Sequence, residues 1–182
     1  LDGEHIGAWG DSAGGHLAAM LGVTGNRPEL EGDSGTPGVS SNVQCVCDWY
    51  GPGDLTRMAP PEYDEFWDDE HSMVARLIGG APRSHMAALR AASPASYASR
   101  DAAPMLIMHG DHDMMVPLSQ SIFLYEALLF AGANVRLHVV HGGDHLDYRR
   151  RPSDIPWQAP EVSTLVDAFF YRYLKGHEWR EQ

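Results

Sequence analysis

Cysteine is scarce in this chain: its 182 residues hold two, Cys45 and Cys47. They stand two apart in Val43-Gln44-Cys45-Val46-Cys47-Asp48-Trp49-Tyr50, a run that reads as a strand. Both side chains then point to one face, too far apart for a disulfide. Two small core residues is the reading they carry, since no further ligands for a metal accompany them. Basic charge is scarce as well, with 13 Lys and Arg against 25 Asp and Glu and a formal net charge of -12. A surface that acidic repels nucleic acid and anionic membrane, so neither is expected as a partner. No apolar run reaches the length of a membrane span. The sequence opens at Leu1 without an initiator Met and runs almost directly into the first strand-like run, so it is expected to begin inside a fold rather than at a leader.

What is present is ordinary for a globular domain: 43% hydrophobic and 21% charged residues, in a length that buries one sizeable core. Residues 5–9 read as a short strand and residues 13–23, rich in Ala, Leu and Met, as a helix. Residues 25–41 are a loop by their Gly, Pro, Asn, Asp and Ser. Residues 43–50 read as a second strand, stopped by Gly51-Pro52-Gly53. Residues 54–100 show helical pieces and no clear strand. Residues 105–109 form a third strand. Residues 118–131 form an amphipathic helix with Ile122, Leu124, Tyr125, Leu128 and Leu129 available to pack, closed by Gly132. Residues 135–140 form a fourth strand, and residues 162–174 a last helix ended by Gly176. This order predicts one α/β domain over residues 1–182, a mostly parallel sheet with helices on both faces and a helical insert at about 54–100. Active sites of such sheets lie at the carboxyl ends of the strands.

Three segments at predicted strand ends carry chemistry. Gly10-Asp11-Ser12-Ala13-Gly14 is a G-x-S-x-G between a strand and a helix, the context a nucleophile elbow requires. So tight a turn makes side chains two before and two after the serine collide, which calls for the two glycines. It places Ser12 at a helix N-terminus, where backbone N–H groups favour a developing oxyanion, with the N–H of Ala13 as first donor. The plainer alternative is a serine capping an ordinary helix. His109-Gly110-Asp111-His112-Asp113-Met114-Met115-Val116-Pro117 follows the third strand. A carboxylate there can hold an imidazole in the right tautomer, and Asp111 and Asp113 both qualify by position. His141-Gly142-Gly143-Asp144-His145 follows the fourth strand. A serine hydroxyl needs a base within hydrogen-bond reach. His141 stands where the strand ends, its direction set by the pleat; His145, beyond the Gly-Gly turn, is freer to reach Ser12 and is the candidate base.

Gly10-Asp11-Ser12-Ala13-Gly14-Gly15-His16, Asp48-Trp49-Tyr50-Gly51-Pro52, His109-Gly110-x-x-Asp113-x-x-Val116-Pro117 and Gly143-Asp144-His145 together resemble the α/β-hydrolase superfamily. Within it they resemble esterases related to the hormone-sensitive-lipase group and to bacterial dienelactone-, feruloyl- and acetylxylan-type esterases. The likeness runs over nearly the whole chain. It implies an α/β-hydrolase fold and cleavage of small-molecule carboxylic esters (short-chain, aryl or sugar esters) through an acyl-enzyme on Ser12. It implies no cofactor. By the family pattern, the aspartate four after the histidine of His-Gly-x-x-Asp is the triad acid, which makes the triad Ser12, Asp113 and His145. One departure stands out: the family's second oxyanion donor comes from a Gly-rich loop after an earlier strand, and no strand precedes residue 5. The chain therefore reads as the N-terminally incomplete catalytic portion of such a domain.

Lesser features have two readings each. The acidic run Asp64-Glu65-Phe66-Trp67-Asp68-Asp69-Glu70 reads as a solvated helical edge, or else as an attraction for cationic substrates. Trp49, Tyr50 and Trp67, with Met58, Phe66 and Met73, are candidates for an apolar substrate pocket or for core packing. His16 is expected to pack behind the elbow. Arg149-Arg150-Arg151 is a surface cluster or a contact for an acidic substrate group. Three rival functions share parts of the pattern. A peptidase of prolyl-oligopeptidase type has the same elbow. A metal site could draw on His109, Asp111, His112, Asp113, His141 and His145, but it leaves the elbow unexplained. A non-catalytic module would explain the missing start.

A first strand paired on one side only exposes unsatisfied N–H and C=O groups, a template for association. Losing one oxyanion donor costs about 2.7–4 kcal/mol, or roughly 10²–10³ in rate. The isolated chain is thus expected to be homo-oligomeric or poorly soluble. It is also expected to be at least ~100-fold less active than a version with upstream strands restored. Size-exclusion chromatography and aryl-acetate turnover compare the two; a monodisperse, fully active monomer of these residues alone overturns the expectation.

Overall fold

The computed structural model describes residues 2–25, 27–36, 38–145 and 155–176. Arg149-Arg150-Arg151 lie outside the described residues. In chain order the elements are β1 (Gly7–Asp11), α1 (Ala13–Thr24), β2 (Cys45–Trp49), α2 (Asp64–Trp67), α3 (Met73–Ile78), α4 (Met86–Ala91), β3 (Met105–Gly110), α5 (Ser119–Phe130), β4 (Val135–Val140) and α6 (Pro160–Lys175). The four strands form one sheet in the order β1-β2-β3-β4. Every neighbouring pair is parallel, with Gly7 opposite Cys45, Val46 opposite Met105 and Met105 opposite Val135. Each return to a parallel strand needs a crossover; α1, the insert and α5 supply them.

The central strands β2 and β3 are buried along almost their whole length, as strands covered on both faces must be. Alternation divides their side chains between two cores. Val46, Met105 and Ile107 meet Ala18, Ala19 and Val23 of α1 and Leu124 and Leu128 of α5. Cys45, Cys47, Leu106 and Met108 face the other way, onto Val162, Val166 and Phe169 of α6. Both cysteines are free and buried. Burial pushes the Cys45 thiol up to about 11 and raises that of Cys47 as well, so neither is a thiolate at neutral pH.

The structure departs from the sequence reading at several element ends and on one helix face. The first strand begins at Gly7 rather than at residue 5, and the second ends at Trp49, because Tyr50 turns the chain with φ at 43°. On α5 the buried face is Gln120, Ser121, Leu124 and Leu128, while Leu129 is exposed. One residue past Leu128 lies about 100° round the helix from the sheet. Glycines 132 and 176 do take the left-handed conformation that ends a helix. The insert is helical and turn-like with no strand among the described residues, and it has its own small core of Leu55, Trp67 and Leu89. Gln120 fastens it to α5, donating from Nε2 to the Arg57 carbonyl and accepting the Asp54 N–H on Oε1. Arg83 binds Asp64 and Asp68 in the acidic run at the surface. No helix among the described residues is long and apolar enough to cross a membrane.

Candidate active site

Parallel strands bring all their carboxyl ends to one edge of the sheet, and the sequence motifs meet there. Ser12 follows β1 with φ at 52° and ψ at -121°, outside the ordinary region for a residue with a Cβ. Its N–H donates to the Trp49 carbonyl at 2.8 Å, which locks the turn to the end of β2. A Cβ on Gly10 would run into the backbone of Gly14. One on Gly14 would meet nothing closer than Asp11 Oδ1 at 4.0 Å, so the expected clash falls on the first glycine only. Gly15, by contrast, has no room: its Cβ would strike Asp48 Oδ1 and the Trp49 carbonyl. His16 is buried behind the elbow with Nδ1 at 2.8 Å from the Pro52 carbonyl, and desolvation lowers its pKa.

His145 reaches across from the loop after β4. Its Nε2 lies 2.8 Å from Ser12 Oγ and its Nδ1 2.7 Å from Asp113 Oδ2. Both the imidazole and the carboxylate are buried, with side-chain exposures of 4% and 0%. Burial alone would push the Asp113 carboxyl up. Hydrogen bonds from His109, His145 and the N–H groups of Val116 and Met115 outweigh it and hold the carboxyl well below the usual carboxylate range. Asp111 and His141 form a different pair. His141 Nδ1 is 2.8 Å from Asp111 Oδ2 at the surface, and Asp111 Oδ1 accepts the Gly142 N–H at 2.7 Å. That second pair joins the turn after β3 to the turn after β4. Among the described residues, no group of three or more His, Cys, Asp or Glu side chains is placed to hold a metal ion.

Aromatic rings support His145 from below. Tyr50 packs against it with its ring tilted and 4.7 Å between centroids, Trp157 lies 4.8 Å from Tyr50, and Trp49 lies 4.8 Å from Trp157. Trp157 Nε1 also donates to the Asp144 carbonyl at 2.9 Å, steadying the residue before the histidine. Of the three candidate pocket residues, Trp49 and Tyr50 join this cluster. Trp67 does not; it sits in the core of the insert with its Nε1 on the Pro60 carbonyl at 2.7 Å. Sequence reasoning missed Trp157, which carries no motif, and it missed Asp48. Asp48 is fully buried beneath the elbow, with Oδ1 accepting the Gly51 N–H at 2.9 Å and Oδ2 without a hydrogen-bond partner. A charged residue in the middle of an apolar strand was the available signal.

A parallel sheet with an elbow serine after β1, an aspartate after β3 and a histidine after β4 is the arrangement of an α/β-hydrolase. The chain belongs to the BD-FAE family, whose family model matches residues 1–128. It is 34% identical over 128 residues to esterase LipC of Mycobacterium tuberculosis, covering 70% of this chain and 30% of that protein. Among solved structures it is similar to a truncated carbohydrate esterase from gut microbiota, with a TM-score of 0.81 and 30% identity over 96% of this chain and 61% of that one. It is also similar to the esterase Est2 of Thermogutta terrifontis, solved with butyrate bound, with a TM-score of 0.68 and 26% identity over 92% of this chain and 56% of that one. The chain thus spans about a third of the length of the curated relative.

Burial raises the Asp48 carboxyl to about 6, against the opposing pull of the Gly51 N–H and of nearby His109. An acid whose pKa is raised by folding penalises the folded state as pH climbs from its unfolded value, about 4, through its folded value. Between pH 4.5 and 7 the protein should therefore lose stability through Asp48. Asp113 has the opposite sign: its contribution is present above pH 4 and is lost only in stronger acid. Asp48→Asn should narrow the gap between urea midpoints at pH 4.5 and 7, and gain about 1 kcal/mol at pH 7. An unchanged gap rejects this account of Asp48.

Proposed function

We propose that the protein is a serine hydrolase that cleaves carboxylic esters through an acyl-enzyme on Ser12. The observation that carries this reading is the buried line of hydrogen bonds from Ser12 Oγ through His145 to Asp113, at 2.8 and 2.7 Å. Ser12 Oγ attacks the ester carbonyl carbon while His145 Nε2 takes its proton. The carbonyl electrons move onto oxygen, which receives the Ala13 N–H at the start of α1. Collapse of this intermediate expels the alcohol oxygen, which takes the proton from Nε2. Water then attacks the acyl carbon, gives its proton to His145, and the carboxylic acid leaves as Ser12 recovers its hydrogen. Asp113 keeps Nδ1 protonated and facing it, and stabilises the imidazolium in both halves.

The substrate class is short-chain, aryl or sugar esters. Support comes from the carbohydrate esterase and the butyrate-bound esterase among the similar structures. The net charge of -12 leaves a neutral ester unaffected.

In the intact protein, Ser12→Ala should lower turnover about 10⁴-fold or more. An organophosphonate should label Ser12, and labelling that persists in Ser12→Ala rejects the assignment. Aryl acetates and butyrates should be cleaved faster than long-chain esters and than proline-containing peptide amides. Preference for long-chain triglycerides with activation at an oil interface overturns the substrate class, and preference for the peptides overturns the reaction class.

A further inference from the structure

A second imidazole lies against the Asp113 carboxylate. His109, at the end of β3, is fully buried. Its Nε2 is 2.9 Å from the Val116 carbonyl and 3.3 Å from Asp113 Oδ2. Both oxygens are acceptors, so Nε2 carries a hydrogen. On the other side of the ring, Nδ1 is 2.7 Å from Ser121 Oγ, itself fully buried on α5. Donation from the Ser121 hydroxyl to Nδ1 satisfies both groups and fixes the tautomer. Val116 closes the arrangement: its carbonyl takes the His109 hydrogen while its N–H donates to Asp113 Oδ1 at 2.8 Å.

We propose that His109, oriented by Ser121, is a positioning residue for Asp113 that sets how tightly Asp113 holds the imidazole of His145. It does so twice over. Through Val116 it fixes the turn that donates to one carboxylate oxygen. Directly, its N–H dipole draws charge from Oδ2, the oxygen that His145 Nδ1 also uses. Less negative charge on that oxygen means weaker stabilisation of the imidazolium and a base that releases its proton more readily. The inference rests on the reaction proposed for Ser12. Among the described residues, the other titratable groups around His145 are Tyr50 from the end of β2 and Asp144 on its own loop, with Asp11 near the Tyr50 hydroxyl and Asp48 close enough to His109 to feel its charge. The hydrogens that reach Asp113 come from Met115, Val116, His145 and His109.

The test compares the pH dependence of aryl-acetate kcat/KM in the intact wild-type protein with His109→Leu, His109→Gln and Ser121→Ala. Without the N–H, Asp113 holds the imidazolium more tightly. The acidic limb should then move to higher pH by about half a unit or more in His109→Leu, and less far in the same direction in Ser121→Ala. His109→Gln, which restores an N–H donor, should return it towards wild type. The low-field proton signal of the His145 Nδ1–H should move further downfield in step with the limb. Should the leucine variant fail to fold, Ser121→Ala and its proton signal decide alone. Slower turnover with the limb and the signal both unmoved means a structural role only and overturns the proposal. Failure of the Ser12 reading is separate: it shows as wild-type protein that neither turns over esters nor takes the phosphonate label.

Discussion

A carboxylate with no exposed surface must find all of its donors inside the protein, and Asp113 is such a group. Its two oxygens collect the N–H groups of Met115 and Val116, the ring of His145 and the flank of His109. That requirement dictates the local chain path. The turn after β3 must fold back on itself so that amides two and three residues on reach the side chain, the behaviour that makes aspartate a turn residue. The loop after β4 must deliver an imidazole to the same point. Asp111 reinforces the meeting by bridging His141 and Gly142, so two parallel His–Asp contacts, one buried and one exposed, hold the same two loops together.

Ser12 enters under a different constraint. A side chain at φ 52° carries backbone strain on the order of 1–3 kcal/mol, which persists only where the surroundings over-determine the conformation. Here the Trp49 carbonyl holds the Ser12 N–H, and the first turn of α1 packs so closely on β1 and β2 that Gly10 and Gly15 leave no space for a Cβ. The strain and the packing together raise Oγ out of the strand plane towards His145. Tyr50 does for β2 what Ser12 does for β1: it leaves the strand at φ 43° and turns its ring beneath the imidazole.

Much of this was legible in the sequence, for identifiable reasons. The strand–helix order is written in apolar runs and glycine stops, and parallel α/β layering follows from it. Ser12, Asp113 and His145 lie at strand ends, where a pattern of Gly, His and Asp stands out against apolar neighbours. What stayed hidden depends on three-dimensional proximity. Asp111 and Asp113 are equivalent by position; the family pattern singles out Asp113, but only the folded turn pairs Asp111 with His141. Ser121 looks like any helical serine until the strand beside it is seen to carry His109 near its end. Trp157 belongs to no periodic segment, yet its indole N–H holds Asp144. Gly14 looked as constrained as Gly10 because the motif treats the two alike, whereas the turn crowds only one of them.

Asp48 and Asp113 show how two buried carboxyls near one site are driven in opposite directions. Burial acts alike on both; the donors do not. Asp113 gathers enough hydrogen bonds to stay ionised deep in acid, while Asp48 has the Gly51 N–H on one oxygen and none on the other, and its affinity for a proton rises. The location of Asp48 explains why so costly a group fits there at all. Its Oδ1 fills the space that a Cβ on Gly15 or on Gly51 would need, so it stands between the first turn of α1 and the turn after β2. A larger residue at either glycine would force the carboxyl off the Gly51 N–H and shift the floor under Ser12. The elbow's rigidity therefore depends on a carboxyl and two glycines, none of which touches Ser12 Oγ, acting through close contact of backbone with a single oxygen atom.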